Sequence, residues 1–183
     1  MQNTDRKLLL DEKGIAGAID KVAKAISSDF DKAHLGEIAF LGIQLKGMPF
    51  AGRIVESIKK SSGLQIPLGK LDISMYRDDI GMRKTLPHIH ETDIPFDINN
   101  RTIILVDDVL HTGRTIRAAL DAMTDYGRPA MIRLAVLVDR GMREFPIQAD
   151  YVGFKNHVSG AEHISVSWKE LGGPDAVYLT QKK

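Results

Sequence analysis

Cysteine is missing from all 183 residues. That excludes disulfides, thiolate nucleophiles and cysteine-bound metals. An excess of one charge is missing too: 25 Lys and Arg stand against 24 Asp and Glu, a net charge of +1. The chain as a whole has no bias toward nucleic acid or an anionic membrane, so any such surface must be a local patch. No apolar run approaches the roughly 18 residues of a membrane span. The opening MQNTDRKLLLDEKG has neither the apolar core nor the small-residue cleavage site of a signal peptide. These absences read as a cytoplasmic protein with no membrane partner. Internal repeats and low-complexity linkers are also absent, which leaves a single domain over 1–183 with a real core.

What is present alternates between two periods. Ile15, Ile19, Val22, Ala23 and Ile26 recur at helical spacing within a helix expected from Asp11 to about Ser28. EIAFLG (Glu37 to Gly42) reads as a buried strand. MPFAGRIVESIKKSSG follows as a helix, with Pro49 in its first turn and Gly63 after its end. QIPLGKLDISMY is extended and broken by Pro67 and Gly69. The segment 77–100 is polar, carries Pro87 and Pro95, and has the length of a lid or binding loop. RTIILVDD is the strongest strand, apolar on both faces as in a parallel sheet. A helix from Thr115 to Tyr126, ended by Gly127, leads to a strand at MIRLAVLVD. Shorter strands are expected at DYVGF, HISVSW and AVYL. Strands alternating with helices predict an α/β fold with a mostly parallel central sheet flanked by helices, and a small appended piece from the tail.

The chemistry concentrates in ILVDDVLHTGRT, Ile104 to Thr115. Ligands of open α/β sheets sit at the carboxyl ends of strands, where Asp107 and Asp108 fall. The loop Thr112 to Thr115 opens a helix, whose first N–H groups and dipole favour phosphate. Gly113 lets the backbone approach, and the hydroxyls of Thr112 and Thr115 add donors. The carboxylates can accept from sugar hydroxyls or hold Mg²⁺. The implied ligand is a phosphorylated sugar. An acidic pair alone also occurs in metal-dependent phosphatases, receiver domains and Walker-B positions; the whole string favours the phosphosugar.

IILVDDVLHTGRT resembles the phosphoribosyl-pyrophosphate (PRPP) signature of type I phosphoribosyltransferases. LDISMYRDD, RTIILVDDVLHTGRTIRAALDAM, GRPAMIRLAVLVDRG and REFPIQADYVG resemble the pyrimidine-operon regulator/uracil phosphoribosyltransferase family (PyrR). The similarity covers most of the chain and is weakest before Glu37 and after Gly153. It implies the type I phosphoribosyltransferase fold, with a core at about 14–154 and a hood from the tail and the flexible loop 77–100. It implies that Asp107 and Asp108 bind the ribose 2′- and 3′-hydroxyls and serve a metal indirectly. Val109, Leu110, His111, Thr112, Gly113, Arg114 and Thr115 complete the PRPP site, the last four around the 5′-phosphate. GIQLKG matches the pyrophosphate loop, with Ile43, Gln44, Leu45, Lys46 and Gly47 and a cis peptide expected at Leu45–Lys46. Lys46 and Arg77 join the acid pair as catalytic residues, Arg77 opening the hood loop. Val138, Asp139 and Arg140 line the base pocket. Mg²⁺ is the implied cofactor, and a dimer or higher homo-oligomer the implied assembly. GIQLKG also mimics the start of a Walker A motif, but Met48 and Pro49 stand where Lys and Ser/Thr are required.

The base follows from His111. Purine enzymes of this superfamily commonly carry Asp at the matching position, and the PyrR family an aromatic residue. His111 therefore disfavours a purine and leaves uracil ahead, with another nucleobase as alternative; its simplest role is a spacer at the pocket edge. The resemblance also carries an RNA-binding attenuation regulator that senses UMP or UTP. Phosphate contacts need clustered cations, and the stretch GIAGAIDKVAKAI of the first helix offers only Lys21 and Lys24, with Asp20 beside them. HIHE (His88 to Glu91) reads as exposed loop rather than metal ligands. KNHVSGAEH (Lys155 to His163) departs from the family, and Trp168 reads as a packing residue.

Overall fold

The run Ile103 to Val106 is buried on both faces and forms the centre of β4 (Thr102–Leu110). A computed structural model describes residues 6–30, 32–79 and 90–181. The middle of the 77–100 segment, with His88, lies outside the described residues. Around β4 stand β2 (Ile38–Ile43), β3 (Leu68–Leu71), β5 (Met131–Asp139) and β6 (Tyr151–Lys155). They form a five-stranded sheet in the order β3-β2-β4-β5-β6, every neighbouring pair parallel. Parallel neighbours require crossovers, which is why helices cover both faces and why β2 and the centres of β4 and β5 are apolar on both sides.

Helices α1 (Glu12–Asp29) and α3 (Gly47–Ser62) pack on one face and α4 (Arg114–Met123) on the other; α2 (Lys32–Leu35) is a single turn. Asp11 caps α1 by accepting from the Gly14 N–H at 2.8 Å. The helix then buries Ile15, Ile19, Val22 and Ile26, as its spacing predicts. Each such side chain contributes at most about 2 kcal/mol by leaving water, so Ile19→Asp would unseat the helix. Gly63 ends α3 in the left-handed region (φ 75°), its N–H donating to the Lys59 carbonyl. Among the described residues no helix is long and apolar enough to cross a membrane.

The tail differs from the expectation of an appended piece made from itself alone. β7 (Glu162–Ser167) and β8 (Ala176–Gln181) form a second, antiparallel sheet with β1 (Arg6–Leu10), a strand the periodicity did not signal. β8 lies between the other two, so the amino-terminal strand completes the tail. Helix α4 ends at Met123 rather than Tyr126. Its last residues turn with shorter-range bonds, Tyr126 N–H to Met123 carbonyl at 3.0 Å among them. β4 also outruns the acid pair: Val109 and Leu110 still pair with Val138 and Asp139 of β5. The two carboxylates therefore sit within the strand's last four residues, with two residues of strand beyond them.

Candidate active site

Asp107 and Asp108 point to opposite faces of β4, as successive strand residues must, yet both lie at its carboxyl end beside the turn that leaves β2. That turn spans Gln44 to Lys46. The neighbouring strands are locked in register, Gly42 beside Val106. Gly47 opens α3 so close to β4 that an added Cβ would lie 2.5 Å from the Val106 carbonyl oxygen and 3.2 Å from the Asp107 Cα. Only a glycine lets this turn lean against the acid pair. The cis peptide falls at Gln44–Leu45, one residue before the expected Leu45–Lys46. The sheet accounts for the shift: the Gln44 N–H still bonds the Leu71 carbonyl at 3.0 Å, so the chain reverses directly after Gln44.

The turn and the acid pair enclose a cavity of about 380 Å³. It brings together Ile43, Gln44, Leu45, Lys46, Arg77, Asp107, Asp108, Val109 and Thr115, with Asp72, Ser74 and His90 from the segments flanking the long loop. A larger groove of about 710 Å³ runs between α1, α3 and the tail, but it is mainly apolar and holds neither acid. The chemistry belongs to the smaller one.

Electrostatics single out the pair. Burial raises the Asp107 carboxyl well above the ordinary aspartate range, and the neighbouring Asp108 adds to the rise. Burial also raises Asp108, against the opposing pull of Lys46. Backbone donors partly satisfy them: the Asp108 N–H donates to Asp107 and the Val109 N–H to Asp108, each at 2.9 Å. Two like charges side by side with so little compensation are costly unless a ligand meets them.

The remaining expected residues are divided. Gly113 precedes α4 in the left-handed region (φ 93°), where an added Cβ would meet Phe145 at 3.2 Å; the Arg114 N–H, first in the helix, reaches the Thr112 hydroxyl oxygen at 3.4 Å. Thr112 receives Glu144 and Phe145 N–H groups on its carbonyl. Arg114 is half-exposed, pairs with Glu144 and Asp78, and stacks over Phe145. Arg77 grips Asp79 through two bonds of 2.9 and 3.0 Å. Leu110 is buried in the core beside α4, and Val138 in the opposite core. Asp139 lines a separate cavity of about 550 Å³ with Gly141, Arg143, Phe145, Lys155 and His157. Arg140 turns away from it, toward His111.

Sequence reasoning missed two residues. Asp72 accepts from the Ser74 and His90 N–H groups and from the Ser74 hydroxyl, fastening both ends of the long loop. Arg143 donates to the Ile147, His111 and Gly141 carbonyls and pairs with Asp139 at 2.6 Å, bracing the loop after β5 against the one after β4. Neither has a spacing signal, since the partner that joins two segments, His90 for Asp72 and His111 for Arg143, is distant in sequence. Gly47 had one, the glycine closing GIQLKG, but not its reason.

The family model for the phosphoribosyl transferase domain matches residues 6–170. The chain belongs to the phosphoribosyltransferase family. Its relatives include the bifunctional protein PyrR of Roseiflexus sp. (strain RS-1), 49% identical over 96% of this chain and 95% of that protein. That of Chloroflexus aurantiacus is 45% identical over 96% and 95%, and that of Clostridioides difficile 44% over 97% and 99%. The resemblance to the PyrR branch thus holds along nearly the whole chain. Among solved structures, the hypoxanthine phosphoribosyltransferase of Trypanosoma cruzi superposes with a TM-score of 0.72 at 17% identity, covering 97% of each chain. That of Staphylococcus aureus gives 0.70 at 18%, covering 100% and 98%. At such identities the likeness establishes the fold, the type I phosphoribosyltransferase fold expected from the sequence.

Proposed function

We propose that the chain transfers the phosphoribosyl group of PRPP to uracil, forming UMP and pyrophosphate. The observation that carries this is the buried acid pair facing a cavity closed by the Gln44–Lys46 turn, with the Thr112–Thr115 loop opening the next helix. The base nitrogen bonds to C1 of the ribose as the C1–O bond breaks; that electron pair leaves with pyrophosphate, and the base loses its N–H proton. The transition state has oxocarbenium character, so the protein's task is to position, shield and stabilise charge. Asp107 and Asp108 accept from the ribose hydroxyls. Thr112, Gly113, Arg114 and Thr115 hold the 5′-phosphate, Arg114 exchanging its carboxylate partners for it. Lys46 and the turn's N–H groups face the pyrophosphate, with Arg77 beside them on the cavity wall.

The acid pair also fits Mg²⁺. Two hard oxygen donors whose carboxyls burial has raised suit a dication that keeps waters and substrate phosphates as its other ligands. When bound with PRPP, it neutralises the leaving pyrophosphate. The cavity beyond β5 and β6, with Asp139 at its edge, is the proposed nucleobase pocket, and Val138 and Arg140 support it from behind. Uracil is favoured over purines by His111 in place of the Asp common to purine enzymes, and by the PyrR relatives. A cytoplasmic location and a homo-oligomer belong to the same reading.

Incubation of pure protein with Mg²⁺, PRPP and a panel of labelled nucleobases tests this: UMP is expected, and no product with uracil between pH 6 and 9 refutes it. A second reading, a nucleotide-sensing RNA regulator, is favoured by the relatives' description as bifunctional. Against it, Lys21 is tied to the Gly153 carbonyl at 3.1 Å, which thins an already sparse basic face. A gel shift on pyrimidine-leader RNA that is specific and enhanced by UMP supports it; an equal shift with any RNA does not.

A further inference from the structure

Asp139 closes β5, and the main chain there is held from both sides. The next N–H donates to the Leu110 carbonyl of β4 at 2.9 Å, and the Asp139 carbonyl accepts from the Asn156 N–H just past β6 at 3.0 Å. The side chain is fastened at one of its two oxygens. Oδ1 accepts from the Gly141 N–H at 2.9 Å and from the Arg143 guanidinium at 2.6 Å. Oδ2 has no donor among the described residues, and the side chain keeps 14% of its surface at the wall of the cavity of about 550 Å³. Arg143 is committed to the same corner. Its Nε donates to the Ile147 carbonyl at 2.9 Å, and one terminal nitrogen to the His111 and Gly141 carbonyls at 2.8 and 3.2 Å. A guanidinium is a rigid, planar fork of N–H donors, and most of this one is used within the protein. It acts on Asp139 and on backbone rather than on a ligand.

A carboxylate oxygen can only accept. With Oδ1 taken by two donors, the acceptor left to the cavity is Oδ2, fixed in direction by the fork that holds its neighbour. We propose that Arg143 is a positioning residue that makes Asp139 a one-directional acceptor, so that the pocket takes a pyrimidine whose N3 carries hydrogen, as in uracil, and rejects one whose N3 is a bare lone pair, as in cytosine. The inference rests on reading this cavity as the nucleobase pocket. Against cytosine, Oδ2 sets lone pair against lone pair; against uracil, the N3–H completes it. A site built around a hydrogen bond rejects the analogue that lacks it far more strongly than an apolar pocket rejects a misfit. Lys155 and Gln148 on the same wall carry N–H donors of the kind that the flanking O2 and O4 of uracil require, and Phe145 and Ile147 offer apolar surface to the ring. Holding the acceptor in place beforehand spares the base the cost of ordering it. The carboxylate reads the edge of the base and not its size, which leaves the exclusion of purines to other residues.

The test measures UMP and CMP binding to the full chain by calorimetry, with uracil and cytosine as alternative substrates in the kinetic assay. The wild type is expected to bind UMP at least about a hundredfold more tightly than CMP; equal binding, or binding of neither, overturns the proposal. Asp139→Asn keeps the shape of the side chain. Its carbonyl oxygen inherits the two donors, which turns the amide NH2 toward the cavity, so the preference for UMP over CMP is expected to fall about a hundredfold or to invert. An unchanged preference overturns the proposal. Arg143→Gln, which cannot hold Oδ1 and the carbonyls together, is expected to lower the preference about tenfold, and Arg143→Lys, which still pairs with Oδ1, to recover most of it. Affinity lost equally for both nucleotides in Arg143→Gln would make Arg143 a brace alone and overturn its positioning role. In kinetics, Asp139→Asn is expected to raise KM for uracil about a hundredfold and KM for PRPP less than about threefold. If the wild type selects UMP in binding but forms none from uracil and PRPP, the transferase reading fails and this inference stands. If it forms UMP while Asp139→Asn keeps the preference, the inference fails and the transferase reading stands.

Discussion

The molecule contains two clusters of buried charge built on opposite principles. At the tail, Asp175 is buried beside Arg53, which donates to it at 2.8 Å and grips Glu170 with two further bonds of 2.8 Å. The Lys169 N–H adds a bond to Asp175 at 2.9 Å. Arg53 also lies over the Trp168 ring at 4.9 Å, and Trp168 stacks on Phe50. Hydrogen bonds from Arg53 hold both carboxyls below their ordinary range despite burial. At the end of β4 the reverse holds: burial wins and the Asp107 and Asp108 carboxyls rise. A charge cluster that completes its own pairing is structural. One that leaves like charges adjacent in a cavity stores its interactions for something that binds there.

The largest expected effect breaks the second cluster. Asp108→Asn should lower kcat/KM for PRPP by about a thousandfold, the scale of losing a group that acts in the transition state. Its melting temperature should stay level or rise, because an unfavourable buried charge is gone. A collapse of stability instead would make the carboxylate structural. Breaking the first cluster should do the opposite. Asp175→Asn should cost about 1 kcal/mol in urea denaturation, because Arg53 loses a charged partner but keeps its two bonds to Glu170. Activity per folded molecule should be retained.

Their pH dependences should also oppose. The depressed carboxyls of Asp175 and Glu170 contribute stability that is complete above their unfolded values and lost as pH falls through their lower folded ones. The raised pair behaves inversely: folding favours the protonated form, so stability is lost as pH climbs from the unfolded value of 3.8 through the folded one. The margin of Asp108→Asn over the wild type should therefore grow as pH rises above about 4, while the deficit of Asp175→Asn should shrink below it. Denaturation curves from pH 3 to 7 read both slopes, and parallel curves would dissolve the contrast.

The two clusters were unequally legible in the sequence. ILVDDVLHTGRT announced itself because one strand, one turn and one helix supply its parts in a row. The alternating helices and strands likewise placed the parallel sheet. The tail cluster joins residues 53, 170 and 175, whose contacts no local period encodes. β1 was invisible for the same reason: RKLLL does not alternate, and it is a strand only because β8, some 170 residues away, pairs with it. The family resemblance put Arg140 at the base pocket; the folded chain turns its side chain inward to His111.

Between the extremes lies Gly47, which belongs to both principles because it packs backbone against the acid pair. Gly47→Ala would force its Cβ to within 2.5 Å of the Val106 carbonyl oxygen unless the turn retreats. The expected cost is about 2 kcal/mol of stability and a rise of about tenfold in KM for PRPP as Lys46 shifts with the turn. The smallest effect should come from the exposed Glu56–Lys60 pair on α3, 3.7 Å apart and largely in water. Lys60→Ala should change stability by no more than about 0.5 kcal/mol and activity not at all. A larger loss there would mean that pairing alone, without burial, carries weight in this fold, and the distinction between the two clusters would then have to rest on their ligands rather than on their solvation.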